Sequence, residues 1–187
     1  MAFDYPIVLE LTGVPVLVVG GGTVALRKIE GLLVARAAVT VVAPDVVDAI
    51  RALPVRIITR AWERRDLDAV RLVVTATDDP AVNAAVAADA QRRGIWVNAA
   101  DDPANCTFTL PAVARDGPVT VAVSTGGASP ALASHLRSEI ERWLAEIGAA
   151  DAAATLAGQR NELRSRGLST ESVDWSERVR DALRPPP

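Results

Sequence analysis

The chain is poor in cysteine, histidine and aromatic residues, and each scarcity excludes a class of structure. Cys106 is the only cysteine and His135 the only histidine among 187 residues. Neither an internal disulfide nor a zinc site built from several cysteines can therefore form, and a lone thiol favours a reducing, cytoplasmic compartment. Aromatic residues make up 4% of a chain that is 50% hydrophobic. This balance favours parallel strands covered by helices over an aromatic-rich β-sandwich.

Strong positive charge and long apolar runs are also missing. The formal net charge is -3 at pH 7, so no large basic surface for nucleic acid is indicated. The longest apolar runs, such as residues 14–19, have the length of a strand and fall short of a membrane span. The N-terminus has no basic segment followed by an apolar one, so no secretion signal is expected. The sequence thus predicts no nucleic-acid partner, no membrane partner and no metal site.

Strand and helix patterns alternate over the first half of the chain. Short β-branched runs predict buried parallel strands at residues 14–19, 39–43, 55–59, 72–76 and 95–99. Helical segments lie between them, the first over residues 23–35. Such an alternation predicts a Rossmann-type, doubly wound parallel sheet of the α/β class.

The pattern changes after Pro103. Two extended runs, at residues 107–110 and 119–123, have no helix between them and predict an antiparallel pair outside the first sheet. Ser129-Pro130 then opens a helix whose apolar residues recur every three or four positions. That spacing predicts a buried stripe, formed by Leu132, Leu136, Ile140, Trp143 and Ile147.

A glycine-rich turn links the first strand to the first helix. Residues 20–25 read Gly-Gly-Gly-Thr-Val-Ala and match G-x-G-x-x-A in the strand–turn–helix context of a dinucleotide site. Gly20 would permit the tight turn, and Gly22 would let the backbone approach a pyrophosphate at the helix N-terminus. An ordinary glycine turn is the alternative. The residues expected to contact the cofactor here are Gly20, Gly21, Gly22, Thr23 and Val24.

The end of the second strand bears on the choice between NAD and NADP. Pro44 and Asp45 follow it, and Asp45 would accept the ribose hydroxyls. No arginine follows the strand directly, which favours NAD. A plain loop residue is the alternative reading of Asp45.

Six blocks of sequence, taken together, resemble a known family. They span about residues 6–145 in family order: Val18 to Lys28, Val39 to Pro44, Thr75 to Asp79, Val97 to Pro103, Phe108 to Ala112 and Ser124 to Ala133. On these blocks the chain resembles precorrin-2 dehydrogenases, the NAD-binding modules of siroheme synthases, some of which are also sirohydrochlorin ferrochelatases.

The resemblance implies an activity, a cofactor and an assembly. The chain would oxidise the tetrapyrrole precorrin-2 to sirohydrochlorin, reduce NAD and form a homodimer. The implied domains are an NAD-binding Rossmann domain at residues 1–105, dimerisation strands at 106–128 and a helical C-terminal region at 129–187. No methyltransferase module is visible in the sequence, so a complete siroheme synthase is not expected.

Asp101 is the expected catalytic residue. It ends the fifth strand, where ligands of open α/β sheets bind, and it matches the aspartate thought to be catalytic in the family. A carboxylate beside the nicotinamide would act as general base while the nicotinamide takes the hydride. A plain turn is the alternative, and it suits Asp102 better. After the fourth strand, Thr77 and Asp78 are expected to line the dinucleotide, with Asp79 as a helix cap.

The substrate is expected to contact Asn98 and the loop Ser124-Thr125-Gly126-Gly127. Hydroxyls and free N–H groups before a helix suit the carboxylates of a tetrapyrrole, and a plain strand-to-helix turn is the alternative. Two other functions stay open: a chelatase inserting iron or cobalt, and a non-enzymatic NAD-binding regulator. The lack of a metal-ligand cluster argues against the first. Asp101 argues against the second, since a sensor needs only the glycine turn.

Overall fold

The predicted apolar runs form one parallel sheet. The computed structural model describes residues 5–183. The strands of the first sheet are β1 (Pro15–Val19), β2 (Ala38–Ala43), β3 (Arg56–Thr59), β4 (Leu72–Thr75) and β5 (Trp96–Ala99). The helices between them are α1 (Thr23–Val34), α2 (Asp48–Arg51) and α3 (Pro80–Arg92), with short 3-10 helices at Arg64–Leu67 and Pro103–Asn105.

The strand order is β3-β2-β1-β4-β5, and every pair is parallel. Residues 16–19 of the central β1 are at most 2% exposed, because apolar layers cover both faces. Val18 packs in one layer with Ile29 of α1, and Leu17 packs in the other with Val86 of α3. The predicted Rossmann-type fold is confirmed. The strand order reverses between β1 and β4, so their carboxyl ends frame the crevice where such sheets bind ligands.

The position predicted for the first strand of the antiparallel pair is wrong. Residues 107–110 form no strand; they follow the edge of β5, where Thr107 donates its N–H to the Val97 carbonyl at 2.9 Å. The Thr107 hydroxyl also accepts the Val97 N–H at 2.7 Å. Pro111 has no N–H for a ladder, and the first strand of the pair begins directly after it.

The second unit has its own small core. Its strands are β6 (Ala112–Asp116) and β7 (Val119–Val123), and its helices are α4 (Pro130–Glu146), α5 (Ala149–Ser165) and α6 (Ser176–Ala182). The two strands are antiparallel, with Ala114 opposite Val121, so the predicted pair exists with its first strand displaced. Ala114 packs against Leu144 of α4 and Ala149 of α5. The predicted start of α4 at Ser129-Pro130 is confirmed, and the Ser129 hydroxyl accepts the Leu132 N–H at 3.2 Å.

The predicted stripe of α4 is only partly buried. Leu132, Leu136 and Trp143 are 48%, 38% and 54% exposed. Ile140 and Ile147 pack against the small core, while Leu144, which the spacing did not select, is buried in it. The three- and four-residue spacing correctly predicts the helix. It misplaces the burial because Ala114 and Ala149 contact the neighbouring face, centred on Leu144.

The chain divides into its two compact units between Leu110 and Pro111. The functional division into residues 1–105, 106–128 and 129–187 stays a prediction. In the structure, β6 and β7 share one core with α4 and α5. None of the described helices is long and apolar enough to cross a membrane.

Candidate functional site

A cleft of about 630 Å³ lies at the crevice of the first sheet, within the size range of small-molecule sites. It is bounded by the segments that follow β1, β2, β3 and β4. The structure brings seven of the predicted cofactor-binding residues to this cleft: Gly20, Gly21, Gly22, Pro44, Asp45, Thr77 and Asp78. Thr23 and Val24 are the first residues of α1 and do not line the cleft.

Gly20 and Gly21 are required by the protein's own packing. A Cβ on Gly20 would lie 2.2 Å from the Ala76 carbonyl oxygen, and the Gly20 φ of +125° disfavours any side chain. A Cβ on Gly21 would lie 2.1 Å from the Asp45 carbonyl oxygen. Gly21 also accepts the Val47 N–H at 3.0 Å. The glycine turn is therefore packed against the backbone that follows β2 and β4.

Gly22 differs from its two neighbours. Its backbone is extended, with φ -87° and ψ -171°. A Cβ placed on it would meet nothing within 4 Å among residues 5–183. Within the described part of the chain, no side chain caps α1, and its first turn holds no acidic residue. Free N–H groups at a helix N-terminus attract phosphate, and the missing Cβ leaves room for it. The residues present therefore fit the pyrophosphate of a dinucleotide.

Asp45 and Arg51 bring opposite charges to the end of the cleft beside β2. Asp45 is exposed. The Arg51 Nε donates to the Val46 carbonyl at 3.2 Å and lies 3.9 Å from the Asp48 carboxylate. Sequence reasoning missed Arg51, because it considered only the residues directly after the strand, whereas α2 carries this side chain back to the cleft.

Trp62 is a second cleft residue that sequence reasoning missed. It follows β3, lines the cleft and packs its partly buried ring against the layer that contains Leu17. An indole at this wall offers a face on which a purine can stack. The available signal was an aromatic residue after the third strand in a chain with few aromatics.

Asp101 lies in a tight turn after β5 and is exposed. The turn is closed by the Asp102 N–H, which donates to the Ala99 carbonyl at 3.4 Å. Asp101 has a φ of +58°, the left-handed region that aspartate enters more readily than most residues. It does not belong to the residues that line the cleft. The turn that was the alternative reading of Asp101-Asp102 is therefore present. The catalytic role of Asp101 stays a prediction.

The buried Cys106 thiol fastens this turn. Its Sγ accepts the Ala99 N–H at 3.2 Å and lies 3.4 Å from the Asp102 carbonyl oxygen. Burial raises the pKa of the Cys106 thiol, so the group stays a neutral S–H donor. The thiol therefore contacts the backbone on both sides of Asp101.

Asn98 is 6% exposed, so its predicted contact with substrate stays a prediction. Its Nδ2 donates to the Phe108 carbonyl at 3.2 Å. Within residues 5–183, its Oδ1 is buried without a hydrogen-bond partner.

The loop at residues 124–127 lies in the second unit and is ordered by its own hydroxyls. Thr125 Oγ1 accepts the Ser129 N–H at 3.1 Å, and Ser124 Oγ accepts the Gly126 N–H at 3.2 Å. Gly126 and Gly127 have φ values of +60° and +83°, and a Cβ on either would meet nothing within 4 Å. Contact with substrate carboxylates stays a prediction for this loop.

Residues 7–112 match the family model described as putative NAD(P)-binding, and residues 116–142 match the one described as sirohaem biosynthesis protein central. A siroheme synthase of Methylococcus capsulatus is 44% identical over an alignment of 188 residues that covers 98% of this chain and 36% of the relative. A siroheme synthase of Pseudomonas entomophila is 46% identical over 146 residues, 75% of this chain and 32% of the relative.

A solved structure has the same architecture. The structure of SirC, precorrin-2 dehydrogenase, matches with a TM-score of 0.73 and 28% identity, and the match covers 96% of both chains. The chain spans about a third of the length of the curated siroheme synthases that it matches.

Proposed function

Because this chain belongs to the family of putative NAD(P)-binding proteins, we propose that it is an NAD-dependent dehydrogenase converting precorrin-2 to sirohydrochlorin in tetrapyrrole biosynthesis. The observation that carries the proposal is an exposed carboxylate, Asp101, held in a left-handed turn beyond the sheet that forms the dinucleotide cleft. Likeness to SirC, precorrin-2 dehydrogenase, over 96% of both chains supports the substrate.

The chemistry divides between the cofactor and the chain. Dehydrogenation removes a hydride and a proton from the substrate, and NAD supplies the hydride acceptor when it is bound. Gly22 and the start of α1 would hold its pyrophosphate, and the Asp101 carboxylate would take the proton from the substrate. The left-handed φ of Asp101 is shared by Arg36 and Ala69, so backbone strain does not single it out. Its place directly after β5, where ligands of such sheets bind, supports its role.

The direct test is anaerobic incubation of the chain with precorrin-2 and NAD. Absorbance should show NADH and sirohydrochlorin appearing together in equal amounts. NAD binding by calorimetry without NADH formation would favour the regulator instead. Metal insertion into added sirohydrochlorin, without NADH formation from precorrin-2, would favour the chelatase.

We propose that NAD binds more tightly than NADP, by at least about tenfold, the worth of one charge-assisted hydrogen bond. The Asp45 carboxylate would accept the ribose hydroxyls and repel a 2′-phosphate. Arg51 is engaged by the Val46 carbonyl and Asp48. Calorimetry should show that Asp45→Asn lowers the ratio of NAD affinity to NADP affinity. Asp68→Asn, which changes an exposed carboxylate that pairs with Arg93 outside the cleft lining, should leave that ratio unchanged. Equal affinities in the unaltered chain would refute the preference.

We propose that the chain is a homodimer that assembles through its second unit. The two-stranded sheet of β6 and β7 has unpaired edges, which proteins usually cover. Leu132, Leu136 and Trp143 add an exposed apolar stripe on α4, the kind of surface that marks an interface.

Light scattering should give the dimer mass, and Leu132→Glu should shift it toward the monomer. Leu168 is equally exposed, at 48%, and lies outside the stripe, so Leu168→Glu is the matched control. A monomer mass that does not change with concentration would exclude the dimer.

We also propose a cytoplasmic location. The described chain has one cysteine, which is free and buried, and unpaired thiols are the rule in reducing compartments. Fluorescent tagging in the source cell would test the location.

A further inference from the structure

Asn83 is a buried polar residue whose side-chain amide makes three hydrogen bonds to one neighbour, Thr77. It lies on α3 and is 7% exposed. Its Oδ1 accepts the Thr77 N–H at 3.2 Å and the Thr77 hydroxyl at 2.9 Å. Its Nδ2 donates to the Thr77 carbonyl at 2.9 Å. Three hydrogen bonds thus fix both backbone polar groups and the side chain of a single residue.

That residue lies where β4 meets the cleft. Thr77 lines the cleft, and the preceding residue, Ala76, has its carbonyl oxygen against Gly20, closer than any Cβ could fit. The Ala76 N–H donates to the Val19 carbonyl at 2.8 Å. A shift of the Ala76-Thr77 backbone would therefore move directly against the glycine turn.

The Thr77 hydroxyl is already engaged within the chain. It also accepts the Asp79 N–H at 3.3 Å and lies 3.1 Å from the Asp79 carbonyl oxygen. The cleft-facing surface of this segment is therefore set by the position of its backbone, and Asn83 fixes that position. Sequence reasoning chose Thr77 as a contact and passed over the residue that holds it.

We propose that Asn83 is a positioning residue of the dinucleotide site: it fixes Thr77 and thereby keeps the Ala76 carbonyl seated against Gly20. The inference rests on the proposed use of this cleft for NAD, and it assigns Asn83 no contact with the substrate. Removing the amide releases a backbone segment that the cofactor would have to order on binding. NAD affinity therefore falls, while turnover at saturating NAD is preserved.

A buried polar residue on the same helix separates positioning from mere stability. Asp89 is 5% exposed and pairs with Arg64 and Arg92. It does not line the cleft. Asp89→Asn weakens a buried polar cluster without touching the segment after β4. It should lower the melting temperature and leave NAD affinity within about twofold.

The experiment measures NAD affinity by calorimetry, melting temperature, and kcat and KM for NAD in the full chain. Asn83→Ala should weaken NAD binding about tenfold, the equivalent of one lost hydrogen bond or slightly more. Its KM for NAD should rise in proportion, with kcat within about twofold. Should Asn83→Ala not fold, Asn83→Asp takes its place; it keeps the accepting oxygen but loses the donor to the Thr77 carbonyl, and its NAD affinity should also fall.

Unchanged NAD affinity with a lowered melting temperature would overturn the inference and leave Asn83 a structural residue. An equal loss of NAD affinity in Asp89→Asn would overturn it as well. If NAD binds as expected but no variant, nor the unaltered chain, oxidises precorrin-2, the proposed reaction fails. The role of Asn83 in NAD binding would then still stand or fall on its own result.

Discussion

Replacing Asp101 with asparagine is expected to abolish turnover while leaving the chain folded. Loss of a general base costs about 10²–10⁴-fold in rate. Asparagine keeps the size of the side chain and enters the left-handed region as readily as aspartate, so the φ of +58° is not an obstacle. The melting temperature of Asp101→Asn should equal that of the unaltered chain. Alanine is the poorer probe, because a Cβ without a polar group pays about 1–2 kcal/mol for this conformation.

Asp102→Asn is the matched control for Asp101→Asn. The Asp102 carboxylate accepts from Asn105 Nδ2 at 2.6 Å, and its role in the turn is structural. Anaerobic turnover and NAD affinity should be measured for both variants. Near-normal turnover in Asp101→Asn, or a dead Asp102→Asn, would mean that the base has been assigned to the wrong carboxylate.

Gly22→Val is expected to remove NAD binding without unfolding the chain. The Gly22 backbone is extended, a conformation that valine favours, and its Cβ would meet no protein atom within 4 Å. The branched side chain would occupy the space that we propose for the pyrophosphate. Losing two charge-assisted hydrogen bonds to phosphate corresponds to roughly a 100-fold or greater loss of affinity. Calorimetry with NAD and thermal melting measure the two effects separately.

Two other glycines serve as controls. Gly21→Ala forces a Cβ to 2.1 Å from the Asp45 carbonyl oxygen, so it should lose about 1–3 kcal/mol of stability by overpacking. Gly31 is a helical glycine with open space around it. Gly31→Ala should therefore raise stability by up to about 1 kcal/mol and leave NAD binding unchanged. Full NAD affinity in Gly22→Val would mean that the cofactor does not approach this turn.

The sheet was predictable because its strands are short, apolar and buried on both faces. Residues such as Val18 and Val41 are buried on whichever face of the sheet they lie. A continuous apolar run is therefore sufficient to predict these strands. Residues 107–110 look equally extended, but the decisive fact is tertiary: Thr107 bonds to Val97 along the edge of β5. The buried face of α4 likewise depends on which side Ala114 contacts.

The site was predictable where it lies directly after a strand. The glycine turn, Asp45 and Thr77 follow their strands closely and line the cleft, since the carboxyl ends of parallel strands meet at one edge. The catalytic role of Asp101 stays a prediction. Arg51 and Trp62 reach the cleft from the segments after β2 and β3, and no spacing rule connects them to it. Asn83 is hidden for another reason. Its amide acts through the backbone of Thr77, and a sequence pattern does not record hydrogen bonds to backbone atoms.

The Cys106 thiol is a built-in probe for local opening of the structure around it. The group is buried, and desolvation keeps it protonated, whereas alkylating reagents attack the exposed thiolate. Labelling must therefore wait for a local opening that separates Cys106 from Ala99. The labelling rate, measured by mass spectrometry, therefore reports the rate of local opening of the backbone around Asp101. No cysteine has to be added or removed for this measurement.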